Sequence, residues 1–204
     1  MPRRRSISHD QLAAAALTVI DRDGLAGTSM RAVAKELGMS TMALYRYVED
    51  RRELEGLVVE LVLGGVDPAP PEPGPSWRER IETMALRMRD VLAAHPEVVP
   101  LTAVHRHGSV SLLRWSETVV GLLAEGGVEG ERRVIALRGL LSYVIGALQL
   151  QHLGPLAGEG TNVIAALPRE EFPGMAETAA GARGVDPETE FRGGLTLLLA
   201  GIEG

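Results

Sequence analysis

The densest group of chemically able side chains is Leu44-Tyr45-Arg46-Tyr47-Val48, which places two phenols and a guanidinium at consecutive positions. Phenols and guanidinium groups donate hydrogen bonds to phosphate oxygens, and arginine also matches the paired acceptors on a guanine edge. Thr41 and Met42 precede them, and Arg51 follows at what reads as a helix start. The other concentration is His105-Arg106-His107, the one closely spaced histidine pair. A metal site needs three or four ligands, and histidines two apart on a helix point away from each other, so a polar pair is the better reading. A metal-dependent helical hydrolase using His105, His107 and a carboxylate is the remote alternative. No glycine-rich phosphate loop or nucleophile elbow is present, and the absence of cysteine excludes thiolate zinc sites, disulfides and cysteine nucleophiles. The expectation is a protein that is not an enzyme, with no catalytic residue, no metal and no cofactor.

A net charge of −6 argues at first against a nucleic-acid partner. Its distribution reverses that argument. Residues 1–48 hold seven basic and four acidic side chains, whereas residues 67–204 hold 12 and 18. A DNA footprint needs only a local basic patch, and this one lies at one end of the chain. Arg3 to Arg5 belong to it, either as a tail adding non-specific attraction or as an arm entering the minor groove. The start leads into an amphipathic stretch rather than an apolar signal region, and apolar runs such as Leu57 to Leu63 are too short to span a bilayer. A soluble, cytoplasmic protein with no membrane partner is expected.

The elements that must position these side chains read as helices throughout, giving an all-α fold class. Ser8-His-Asp-Gln11 is a capping box, and Gly24 ends the helix it opens. Thr28 or Ser29 caps a second helix that Gly38 stops, and Ser40 caps a third from Thr41 to Val48. Asp50-Arg-Arg-Glu53 opens a fourth, whose buried stripe is Leu54, Leu57, Val58 and Leu61. The second and third form a helix-turn-helix with Ala34 small at their crossing, and the exposed face of the third (Thr41, Met42, Tyr45, Arg46, Tyr47) fits a major groove. Prolines at 68, 70, 71, 73 and 75 break the chain into a helix-turn-helix domain (1–66), a linker (67–76) and a helical-bundle domain (77–204). Helices are expected from Trp77 to His95, near Val99 to His107, from Val110 to Ala124 and from Glu131 to Leu153. Residues 154–185 suggest one short helix, and Asp186-Pro187-Glu188 starts the last.

Taken together, Gly24-Leu25, Gly27-Thr-Ser-Met-Arg31, Ala34, Leu37-Gly-Met-Ser40, Leu44-Tyr-Arg-Tyr-Val48, Arg51 and Leu54 resemble the tetracycline-repressor (TetR) family of bacterial transcriptional regulators. The resemblance covers residues 8–60, and Phe191 to Ile202 is similar to the closing helix of the branch with a tetracycline-repressor-type C-terminal domain. It implies that Tyr45 and Tyr47 touch phosphates, that Thr41, Met42, Ala43 and Arg46, after Ser40, face the groove, and that Ser29, Met30 and Arg31 approach the DNA backbone. Arg51 falls where the family more often has lysine; it keeps the charge and hence the expected phosphate contact. The implied partners are double-stranded operator DNA, a second copy of the chain and a small apolar effector that releases the DNA. An activator, or a regulator answering no ligand, is the alternative.

An effector pocket is likewise implied by the resemblance. Met84, Met88, Leu112, Trp115 and Tyr143 are candidates to line it, with His105, Gln149 and His152 as polar handles, and plain core packing is the alternative for each. Gly139, Gly146, Gly193, Gly194 and Gly201 suggest close approach of the last two long helices. The expected dimer interface is Leu141 and Leu148 with the stripe Phe191, Leu195, Leu198 and Ile202.

Overall fold

The computed structural model describes residues 7–202, so Arg3 to Arg5 lie outside the described residues. Among these the secondary structure is entirely helical. They form two compact units. One takes the chain up to Pro70 together with Leu86–Thr118; the other takes Pro71–Ala85 and the chain from Val119 onward.

The first unit begins with α1 (His9–Gly27), α2 (Met30–Glu36), α3 (Thr41–Leu44) and α4 (Arg51–Leu63). Their starts are fixed by side-chain oxygens that satisfy helix N–H groups otherwise left unpaired. Ser8 and Gln11 form a reciprocal capping box, Ser29 accepts from Ala32 N–H, and Ser40 accepts from Ala43 N–H. Asp50 accepts from Glu53 N–H, while Glu53 reaches back to Glu49 rather than to Asp50. Gly24 lies in the left-handed region (φ 71°) as expected for a helix stop, but helical turns resume beyond it to Gly27. Leu12, Ala16, Val19 and Ile20 of α1 are buried with Val33 and Ala34 of α2 and Leu54 and Val58 of α4. The fourth stripe is rotated from the expected one: Val59, Val62 and Leu63 are buried while Leu57 and Leu61 are only partly covered.

The same unit contains the second part of α5 (Trp77–Ala93), a 3₁₀ turn (Pro96–Val98), α6 (Val99–His105) and the first part of α7 (Val110–Glu125). The 3₁₀ turn packs on α1, and α6 packs on α4. Glu60 on α4 acts as a remote cap for α7. Its carboxylate accepts from the Ser109 hydroxyl at 2.6 Å, the Ser111 hydroxyl at 2.8 Å and Ser111 N–H at 3.2 Å. Burial pushes this carboxyl's pKa up, but the hydrogen bonds from Ser109, Ser111 and Val110 together outweigh burial and hold it below 4.5.

In the second unit, α8 (Gly130–Leu153) packs against α11 (Pro187–Ala200), and α9 (Glu159–Ala165) packs against α10 (Pro173–Ala182). Two short helices thus occupy the stretch where one was expected. The buried face of α8 is Ala136, Leu140, Val144 and Leu148, an i+4 series; of the apolar face its spacing suggests (Leu137, Leu141, Val144, Ile145 and Leu148), Val144 and Leu148 are buried and the other three are half-buried. Close approach of α8 and α11 depends on Gly194, where any Cβ would overlap the Tyr143 ring. The Tyr143 hydroxyl donates to Phe191 carbonyl oxygen at 2.7 Å, and burial followed by the charge of Glu190 raises its pKa. Gly126 makes similar room for the Trp77 indole. By length and composition alone α8 would be long and apolar enough to cross a bilayer, a test that the core helix of a soluble protein also passes.

Two stability measurements follow. Gly126→Ala should lower the unfolding free energy by about 1–3 kcal/mol in urea titration, because the added methyl collides with the Trp77 indole, which must then shift. For Glu60, the depressed folded pKa means that its contribution is complete above 4.5 and is lost as pH falls through the folded value. Glu60→Gln should therefore cost roughly 1–3 kcal/mol near neutrality, with the gap to the unaltered protein closing in acid.

Candidate nucleic-acid interface

The turn between α2 and α3 is fixed by the backbone. Gly38 is left-handed (φ 65°), Met39 N–H donates to Ala34 carbonyl oxygen at 2.9 Å, and Gly38 N–H donates to Lys35 carbonyl oxygen at 3.0 Å. Open space surrounds the position a Cβ would take at Gly38, so the glycine is needed there for its conformation alone. After Leu44 the α-helix gives way to i→i−3 bonds, Arg46 N–H to Ala43 and Tyr47 N–H to Leu44. The expected helix from Thr41 to Val48 is thus a single α-turn continued by tighter turns. Tightening brings Leu44 and Val48 inward together, and both are buried.

Burying those two residues pushes the rest of the segment out. Met42 is 76% exposed and Tyr45 46%, and Arg46 is exposed beside them. Thr41, Ala43 and Tyr47 are partly covered, and Ser29, Arg31, Ser40 and Arg51 are exposed. Arg46 and Tyr47 border a groove of about 590 Å³, also lined by Ile7, Leu37, Gly38, Met39, Ser40 and Ala43. Met30 is different: its side chain is buried in the unit's core, so only its backbone can approach DNA. The hydroxyl oxygens of Ser29 and Ser40 accept the capping bonds, which leaves their hydrogens able to donate.

Arg51 is held on one edge. Its Nε donates to Glu55 Oε1 at 2.6 Å, and Nη2 donates to Leu25 carbonyl oxygen at 3.2 Å. The sequence reading passed over Glu55 although an arginine and a glutamate four apart on a helix are a visible pairing signal. It had no means of finding Glu97, whose Oε2 accepts from Leu25 N–H at 3.3 Å across 72 positions.

The other expected sites fall in both units. Of the effector candidates, Met88, His105, Leu112 and Trp115 lie in the first unit, and Met84, Tyr143, Gln149 and His152 in the second. Met84, Met88, Leu112 and Trp115 are buried, Gln149 is partly covered and His152 is exposed. His105 ends α6 with Nε2 3.4 Å from Glu55 Oε2, and His107 is exposed beyond it. Among the described residues no three His, Asp or Glu side chains gather as a metal site would require. Of the interface candidates, Leu148, Phe191 and Leu195 are buried within the single chain, where α8 packs against α11. Leu141, Leu198 and Ile202 remain half-buried, and Leu197, which the helical stripe had not included, is 78% exposed.

Comparison with known proteins agrees with this geometry. Residues 12–54 match the family described as bacterial regulatory proteins, tetR family, and residues 69–204 match the tetracyclin repressor-like C-terminal domain. An HTH-type transcriptional regulator of Saccharopolyspora erythraea is 32% identical over 202 residues, covering 96% of this chain and 84% of that protein. The class E tetracycline repressor protein of Escherichia coli is 26% identical over 200 residues, covering 96% and 90%. Among solved structures, the Streptomyces coelicolor TetR family protein ActR in complex with actinorhodin superposes with a TM-score of 0.82. It is 27% identical, with 97% of this chain and 96% of that one covered.

Substitution separates base reading from positioning within this interface. Arg46→Ala or Thr41→Ala is expected to lose about 1–3 kcal/mol of discrimination at one base pair per half-site, measured by competition between matched and mismatched duplexes. Equal loss on matched and random DNA would place both residues among the positioning contacts.

Proposed function

The chain belongs to the TetR family of bacterial transcriptional regulators, and from that membership we propose a repressor that occupies a palindromic operator as a dimer and leaves it on binding a small apolar molecule. The observation that carries this reading is α3 and the turns after it, with exposed Met42, Tyr45 and Arg46 beside partly covered Thr41, seated by buried Leu44 and Val48 and capped by Ser40. A short, rigid, outward-facing helix of that kind suits the major groove. Residues 1–66 serve as the DNA-binding domain and 77–204 as the effector and dimerisation domain. Repression and effector release are supported by the relatives, one named as a tetracycline repressor and another solved with actinorhodin bound. A cytoplasmic regulator with no catalytic role completes the reading.

Dimerisation is assigned to α8 and α11, but to their outer faces. Val134 and Ile135 on α8 and Leu197 on α11 are exposed apolar side chains, and beside Leu197 the outer face carries Gly193, Thr196 and Ala200. The small residues permit close approach of a partner helix, and the exposed Leu197 supplies apolar area to bury. A second copy of the chain, rather than lipid, is the occupant that a two-fold palindrome requires.

Selection of duplexes from random DNA by the full chain should enrich an inverted repeat. Enrichment of unrelated sequences, or of none, would remove the operator from this account. Leu197→Glu should give folded monomers, because the position is exposed within one chain and buried only between two; light scattering with circular dichroism reads both. A folded Leu197→Glu dimer would move the interface away from α11.

A further inference from the structure

The surroundings of Arg51 do more than tether a surface side chain. An arginine guanidinium has a side edge, Nε with Nη2, and an end edge formed by its two terminal nitrogens. Here the side edge is taken by Glu55 and by the Leu25 carbonyl, which leaves the end edge for another acceptor. Both holders are themselves held. Glu55 presents its second oxygen to His105 at 3.4 Å, and Leu25, on the other side of its Cα from that carbonyl, donates its N–H to Glu97 at 3.3 Å. Two arms therefore run from residue 97, in the turn before α6, and from residue 105, the last of α6, to one guanidinium at the start of α4.

We propose that Glu55 and Glu97 are positioning residues for DNA binding, holding Arg51 with its end edge presented to a backbone phosphate. The proposal rests on the reading of Arg51 as a phosphate contact. An unsupported arginine loses its rotamer freedom on binding, whereas one already fixed loses little, so the two carboxylates strengthen binding although they carry the charge of the DNA itself. That sign is the distinguishing feature. Simple charge repulsion makes removal of a carboxylate near DNA tighten binding, and positioning makes it weaken binding.

The experiment measures affinity and its salt dependence for full-length protein on the duplex it enriches from random DNA. Arg51→Ala should weaken binding and flatten the slope of log K against log salt by about one unit. Glu55→Ala and Glu97→Ala should each weaken binding roughly two- to tenfold, and neither should add anything in the Arg51→Ala background. Glu55→Gln, which keeps an acceptor for Arg51, should recover most of the loss, and it serves as the folded variant if Glu55→Ala is unstable. Tighter or unchanged binding in the single carboxylate variants overturns the proposal. So does equal weakening with and without Arg51, which would mark both carboxylates as acting on the fold alone. An unchanged salt slope in Arg51→Ala would instead overturn the phosphate contact on which the proposal stands.

Discussion

A helix of four residues has almost no stability of its own, since it closes a single turn and fixes six or more dihedral angles to do so. The DNA-reading segment of this protein is such a helix, and it exists because Leu44 and Val48 are buried in the unit built by α1, α2 and α4. Everything about the interface depends on that anchoring. The two inward residues decide which side chains are left outside, and the tightened turns between them decide that Tyr45 and Arg46 emerge next to Met42. The Ser40 cap and the left-handed Gly38 set where the segment begins, so its direction is determined before any DNA contact is made.

The second requirement is that the DNA-reading helices be held from behind. Residues 86–118 do this within the same unit, through apolar packing of α6 on α4 and through carboxylates placed at particular backbone groups. Glu60 caps α7 from α4, Glu97 receives Leu25 N–H, and His95 Nδ1 lies 2.9 Å from Asp21 on α1. Each contact joins an element of the DNA-reading half to one encoded much later in the chain. A change in the 95–111 region is thereby a change in what supports α1 and α4.

Much of the local structure was legible in the sequence because its signals are local. Ser8 with Gln11, Ser29, Ser40, Asp50 and Asp186 each cap the helix that their spacing announces. The all-helical class and the outward face of α3 were readable for the same reason. What escaped was set by tertiary packing. The buried faces of α4 and α8 match only in part the apolar stripes that periodicity suggested, because apolar residues surround more of each helix than one neighbour can cover. Phe191 and Leu195 are of a type that suits a dimer interface or a core equally well, and only their zero exposure assigns them to the core. Met30 reads as a residue at a DNA-facing helix start, yet its side chain turns inward. Glu97 carried no signal at all, since its partner is a backbone N–H 72 residues away.

The central claim is that two copies of α3 enter successive major grooves on one face of a duplex. Phosphate-ethylation interference on the duplex that the protein itself enriches reports this directly, since it marks each phosphate whose contact is needed. The account predicts two clusters of sensitive phosphates related by a dyad, each flanking a major groove and about one helical turn, or a multiple of it, apart. A single cluster without a dyad, or clusters flanking only the minor groove, would contradict it.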